Sequence, residues 1–363
     1  MVESCRKGGF PMKKFLCVLL ILVLVIVVAF GGLLGFLTVT EYRPADVESV
    51  SVRSGDGAGT APVPSDGFTV LSWNIGYAGL GKHQDFFMDG GKKSRPGDPD
   101  AVYSYLRGIV SSLEEVKADL VMLQEVDTDS ARTYGIDETE SLARGVSAFA
   151  LNYSCPFVPI PFPPMGKVHS GLFTTTDLAV TSADRIALPC PFSWPLSTAN
   201  LKRCMLVTRH PVAGSERELV LVNVHLEAYD DGEGKIAQTR QLMDFLNEEY
   251  QKGNYVITGG DFNQIFPGGQ KAWPNTHPEL WTPGVLDTDM LGGFGSAYDL
   301  TVPTCRLLNQ PYDPSDTENT QYYAIDGFLV SPNVDVSAVK TLDLGFENSD
   351  HNPVHLKVKL LKN

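Results

Sequence analysis

No two cysteines in this sequence are spaced as CxxC, which excludes a zinc site built from paired thiolates. Basic residues are scarce: 29 Lys and Arg stand against 43 Asp and Glu, a formal net charge of -14. A protein that grips nucleic acid broadly neutralises phosphates with clustered Lys and Arg, so this balance disfavours that mode of binding. A small basic patch or a bound cation still suffices for a single phosphate. A third absence is local, since no charged residue occurs from Phe15 to Thr40.

That uncharged run, FLCVLLILVLVIVVAFGGLLGFLTVT, exceeds the roughly 20 apolar residues that cross a bilayer. It reads as one transmembrane helix over 15–40. A cleaved signal peptide is the alternative, but its apolar region covers only about 7 to 15 residues and ends at a small-residue cleavage site. Cys17 precedes most of the run, where no lipoprotein cysteine would sit. Arg6, Lys7, Lys13 and Lys14 flank the run on one side, and Glu41 is the first charge on the other. The positive-inside rule therefore predicts a cytoplasmic segment at 1–14 and a body outside the cytoplasm, held at the plasma membrane. Residues 41–65, rich in Ser, Gly, Ala and Pro, read as a flexible linker, and 66–363 as one folded domain. Four of the six cysteines, Cys155, Cys190, Cys204 and Cys305, lie in that exported body, where disulfides can form, with Cys190 to Cys204 a candidate pair.

Within the body, short β-rich runs predict strands at Phe68 to Asn74, Asp119 to Glu125, Leu219 to Glu227, Tyr255 to Gly260, Ala324 to Val330 and Val354 to Leu360. Asp98 followed by Pro99 reads as an N-cap and first helical residue, and Val102, Leu106, Ile109, Leu113 and Val116 then recur at helical spacing. A second helix is predicted from about Lys235 to Lys252, with Ile236, Leu242, Phe245 and Leu246 as its buried stripe. The interleaving gives the α/β class, without deciding between one sheet and two. Long loops are expected at Gly76 to Gly97, Cys155 to Val168, Phe266 to Gly295 and Asn309 to Gln321.

Polar residues gather at the ends of these strands. Asn74 ends LSWN, Glu125 ends VMLQE, His225 lies in NVHLEAYD, Asp261 and Asn263 follow YVITGG, Asp326 lies in YAIDGF, and Asp350 and His351 form a pair in NSDHNPV. Singly, each has a bland reading. An acid at a strand end is usually a solvated terminus or a cap, a histidine on an apolar strand is usually core, and GGDFN suits an Asx-turn. Together they make four carboxylates, two amides and two histidines in a fixed order.

That ordered set, WN, LQE, NVHLE, GDFN, IDG and SDHNPV, resembles the endonuclease/exonuclease/phosphatase superfamily from about Phe68 to Leu361. The resemblance implies a four-layer α/β/β/α sandwich of the DNase I-like kind and hydrolysis of a phosphate ester, a phosphodiester first, by an activated water attacking in line. It implies that Glu125 and Asp350 hold Mg²⁺, or Mn²⁺ or Ca²⁺, with Asn74 helping to set the metal. Asp261 then directs the water, Asn263 donates to a phosphoryl oxygen, Asp326 orients His351, and His225 is the second histidine on the phosphate. Some nucleases of the family carry an acid where Gly76 stands here, which removes one metal contact.

His169 in GKVHSGLFTT is an additional candidate, although loop histidines are more often solvated. Lys82, His83, Lys92, Lys93 and Arg95 offer a local basic rim, and CPFVPIPFPPMGK an apolar, proline-stiffened segment suited to lipid or to covering the core. The substrate stays open between a lipid headgroup, as in sphingomyelinase-like phospholipid phosphodiesterases, nucleic acid, and a small phosphoester. A catalytically silent binding module on the same fold is the reading from a different class. No protein partner is evident.

Overall fold

The computed structural model describes residues 12–55 and 59–361. The expected cytoplasmic segment falls mainly on residues 1–11, outside the described residues. Helix α1, Met12–Val39, is long and apolar enough to cross a membrane, with none of its most apolar stretch buried. The body is built on two seven-stranded sheets.

The first sheet carries β1 (Val47–Ser49), β7 (Ser182–Ala187), β8 (Cys204–Pro211), β9 (Glu218–His225), β10 (Tyr255–Asp261), β12 (Asp326–Val330) and β11 (Gly295–Ala297), in that spatial order. The second carries β13 (Val334–Thr341), β14 (Val354–Leu360), β3 (Phe68–Asn74), β4 (Leu120–Asp127), β6 (Gly166–Thr176), β5 (Val146–Val158) and β2 (Val52–Ser54). Each sheet contains one parallel pair, β9 with β10 and β3 with β4. Parallel neighbours need a crossover, and helices α2 (Pro99–Val116) and α3 (Glu233–Gln251) supply the two.

Alternation along the strands makes the four layers. Val70, Leu120 and Met122 face Leu221, Ile257 and Phe328 between the sheets, whereas Leu71, Val121 and Leu123 turn outward onto Val102, Leu106 and Ile109 of α2. On the other side Val220, Val222 and Val256 pack on Leu242 and Leu246 of α3. Asp98 caps α2 as its sequence predicts, accepting from the Ala101 N–H at 2.9 Å.

Four expectations need correction. The 41–65 segment is not a free tether: β1 adds an edge strand to one sheet and β2 to the other, and Val50 between them packs against the Ala148–Leu206 cluster. Its valines at 47, 50 and 52 provide that pairing despite the Ser-rich composition. The 155–168 loop is largely a hairpin, because β5 runs on through Val158 and β6 starts at Gly166. Ile236 is exposed, since the first inward turn of α3 is polar: Lys235 donates to the Ala228 carbonyl and Gln238 accepts from the Glu227 N–H. Finally, Cys155, Cys190, Cys204 and Cys305 are free thiols. Cys204 is buried in the sheet while Cys190 is exposed in the loop beyond β7, so the proposed bridge does not form.

Candidate active site

Ligands in α/β sheets gather at the carboxyl ends of parallel strands. Here β3, β4, β9 and β10 end in Asn74, Glu125 with Asp127, His225 and Asp261. Asp326 opens the antiparallel neighbour β12, directly opposite Asp261. His351 lies in the turn before β14, its carbonyl held by the Trp73 indole N–H at 2.8 Å and its N–H by the Ser349 hydroxyl at 3.2 Å. The β4–β6 register shifts between Leu123 and Val126, and Glu125 inside that bulge has φ +53°. Bulges of this kind re-aim a side chain.

The eight residues expected to form a site converge. Asn74 Nδ2 donates to Glu125 Oε1 at 3.0 Å and to Asp261 Oδ2 at 3.1 Å, so it acts as a strut between two carboxylates. The same Asp261 oxygen lies 3.5 Å from His225 Nε2 and 3.7 Å from His351 Nε2. Asp326 Oδ2 is 2.8 Å from His351 Nδ1, and Asp350 Oδ2 is 3.9 Å from His351 Nε2. Asn263 gives one amide hydrogen to the Leu226 carbonyl at 2.9 Å and has a second to offer the pocket.

Burial and neighbours set unlike protonation states on the two histidines. Burial, reinforced by the nearby Arg203, holds His225 well below the ordinary histidine value. Burial opposes charge on His351 too, but Asp326, with Asp350 and Asp261, keeps it well above that value. Burial and the Asp326 charge raise Asp261 to about 6. Burial, partly offset by His351 and aided by Glu125, raises Asp350 to about 7.

Accumulated carboxylates suit a hard divalent cation, which takes oxygen ligands. Asp261, Asp326 and His351 are all buried, place ligand atoms within 4.8 Å of one another and form one cluster able to hold a metal. Glu125 and Asp350 line the same cavity, close enough for the Glu125 charge to act on Asp350. Gly76 leaves the space beside it: a Cβ there would come within 2.8 Å of Asp350 Oδ1, and the residue sits at φ +51° with its N–H on Asn74 Oδ1. Only glycine fits that backbone comfortably. The acid that some relatives carry at this position has no room here.

A cavity of about 150 Å³ opens over this cluster. Its walls hold residues that no motif announced. Arg132 is buried, chelates Asp127 through Nε at 2.9 Å and Nη2 at 2.8 Å, and stacks 3.6 Å over the Tyr77 ring. Arg203, also buried, makes longer contacts: Nε lies 3.5 Å from Glu227, and Nη1 donates to the His225 carbonyl at 3.4 Å. Tyr229 donates to Asp89 at 2.8 Å across the mouth, joining the 226–232 and 76–97 loops.

The other candidates lie elsewhere. His169 does not line the cavity; its Nδ1 is 2.6 Å from the Thr128 hydroxyl on the outer side of β6. The basic rim is also dispersed: Lys82 pairs with Glu347 at 3.2 Å, Lys93 with Asp85 at 3.9 Å, and Arg95 lies over the Tyr134 ring. The positive charges on the cavity wall are instead two buried arginines, Arg132, already paired with Asp127, and Arg203, neither of which belongs to a sequence motif.

A model of the endonuclease/exonuclease/phosphatase family matches residues 71–351. Among solved structures, the chain is similar to an endonuclease/exonuclease/phosphatase from Beutenbergia cavernae, at 18% identity and a TM-score of 0.54, covering 82% of this chain and 72% of that one. It is similar to a family protein from Leptotrichia buccalis at 14% identity and a TM-score of 0.51, covering 81% and 100%. A third is ANGEL2, a 2′,3′-cyclic phosphatase solved with adenosine-2′,3′-vanadate, at 15% identity and a TM-score of 0.50, covering 86% and 99%. At these identities the likeness is one of fold, the DNase I-like sandwich. No curated protein matches the sequence.

Proposed function

The chain belongs to the endonuclease/exonuclease/phosphatase family, and on that premise we propose that it is a metal-dependent phosphodiesterase anchored in the membrane by α1, with its site outside the cytoplasm. One observation carries the catalytic reading: a single carboxylate oxygen, Asp261 Oδ2, stands 3.1 Å from Asn74, 3.5 Å from His225 and 3.7 Å from His351. A water bound there would be aimed and deprotonated by Asp261, whose raised value suits a base near neutral pH.

In this reading His351, kept protonated by Asp326, donates to a phosphoryl oxygen as charge develops, and neutral His225 contacts the same phosphate. Asn263 adds its remaining amide hydrogen. Glu125 and Asp350 are the cation ligands, because Asp326 already accepts from the His351 ring and Asn74 reaches the carboxylates as a donor. Mg²⁺, Mn²⁺ or Ca²⁺ bound there would neutralise the phosphoryl oxygens and stabilise the leaving oxygen.

Hydrolysis of bis(p-nitrophenyl) phosphate by the detergent-solubilised full chain tests this. Activity should need added Mg²⁺ and fall by about 10² or more in Asp261→Ala and in His351→Ala. Unchanged turnover in both variants sinks the catalytic reading. A silent binding module would bind no metal by calorimetry, whereas the proposal expects binding that Glu125→Gln abolishes.

A further inference from the structure

Helix α1 has 28 residues, about 42 Å at 1.5 Å per residue, and so is longer than a hydrocarbon core of about 30 Å. Its last turns do not continue into solvent. Leu37 is buried against Cys155, Val158, Met165 and Val168, with Leu33 beside it. The helix is then locked to the body: Trp194 Nε1 donates to Thr38 Oγ1 at 3.0 Å, Lys202 pairs with Glu41 at 2.9 Å, and β1 and β2 follow within a few residues. With no tether, the domain sits directly against whatever surface the helix leaves.

Two apolar tips flank that exit point. The β5–β6 hairpin, whose Val158 and Met165 pack on Leu37, exposes Ile160 by 56% and Phe162 by 95%. The segment that binds Thr38 exposes Trp194 by 58% and Leu196 by 64%. Single exposed apolar residues are ordinary, but four large ones around the root of a membrane helix match the belt of interfacial side chains that settle at headgroup level. The catalytic cavity adjoins the same place. Phe86, Tyr153 and Met165 belong both to the cluster that holds α1 and to the cavity wall.

We propose that Ile160, Phe162, Trp194 and Leu196 form a collar that docks into the headgroup layer of the bilayer holding α1, and that the cavity takes phosphodiester headgroups of lipids in that leaflet. The inference rests on the anchored-hydrolase reading and adds its docking surface and substrate class. Phe86, Met88 and Met165 offer the entering lipid an apolar wall, while Arg203 meets its phosphate.

The test uses the full chain in vesicles of phosphatidylcholine, alone or with phosphatidylglycerol or sphingomyelin. Lipids brominated near the headgroup should quench tryptophan fluorescence, and Trp194→Phe should remove most of that quenching. The double substitution Ile160→Glu with Phe162→Glu should lower hydrolysis of vesicle phospholipid by about tenfold while bis(p-nitrophenyl) phosphate turnover stays within about twofold. Absent quenching, equal loss on both substrates, or a wild-type chain that cleaves the soluble diester but no phospholipid each overturns the inference. Extraction by alkaline carbonate would instead show that α1 is no anchor, and a wild-type chain inactive on the soluble diester would defeat the hydrolase reading itself.

Discussion

His351 is the residue on which the site's charge turns. Its Nδ1 faces Asp326 at 2.8 Å, and a carboxylate in that position fixes the tautomer and favours the charged ring. Replacing Asp326 with Asn keeps the shape and removes the charge. The imidazolium then loses its proton at lower pH, so a reaction that needs protonated His351 should lose its rate at a lower pH as pH rises. We expect Asp326→Asn to shift the alkaline limb of the kcat profile toward acid and to lower kcat by about 10² or more. An unmoved limb would assign that limb to another group. Asp326 and His351 were legible because IDG and SDHNPV carry them in a fixed order. Arg132 and Arg203 were not, because an arginine becomes informative only when folding buries it, 5% and 3% exposed, beside the reacting centre.

Between elements, the two sheets are joined under the site by an amide bridge. Gln124, next to Glu125, donates to Asn223 Oδ1 at 2.7 Å, and Asn223 Nδ2 donates to the carbonyls of Leu123 at 3.0 Å and Phe173 at 3.1 Å. Both side chains are fully buried. Asn223→Leu removes the closest acceptor of the Gln124 amide and the donor to two carbonyls, leaving Gln124 with the Ser72 hydroxyl at 3.2 Å, and should cost about 1–3 kcal/mol in chemical unfolding. Adding Gln124→Leu should recover part of the loss, since two apolar partners leave fewer polar atoms stranded; an additive double variant would show that the bridge is no coupled unit. The motifs LQE and NVHLE thus hold a structural pair beside the residues that the resemblance singled out. All six strands read from the sequence are strands, because each holds a short apolar or alternating run between turn formers. β1 and β2 were hidden by Ser and Gly around three valines, and their pairing is set by partners over 90 residues away.

At the scale of the molecule, a net charge of -14 and a basic rim dispersed into separate ion pairs weigh against an extended cationic surface on the body, among the described residues. In the proposed reading the positive charge near the phosphate is that of buried arginines on the cavity wall, Arg203 and the Asp127-paired Arg132, where salt screens little. A nuclease that grips six to ten phosphates loses about 10³-fold or more in affinity between about 50 and 200 mM salt through counterion release. This chain should behave otherwise. Over the same range, kcat/KM of the solubilised full chain on bis(p-nitrophenyl) phosphate should change by less than about threefold, and a DNA oligonucleotide should compete weakly at both salts. A steep fall with salt, or strong competition by DNA at low salt, would mean that exposed lysines steer the substrate and would move the reading toward nucleic acid. A flat profile leaves recognition to the buried arginines and to the surface that brings substrate to them, which in this molecule is the one next to α1.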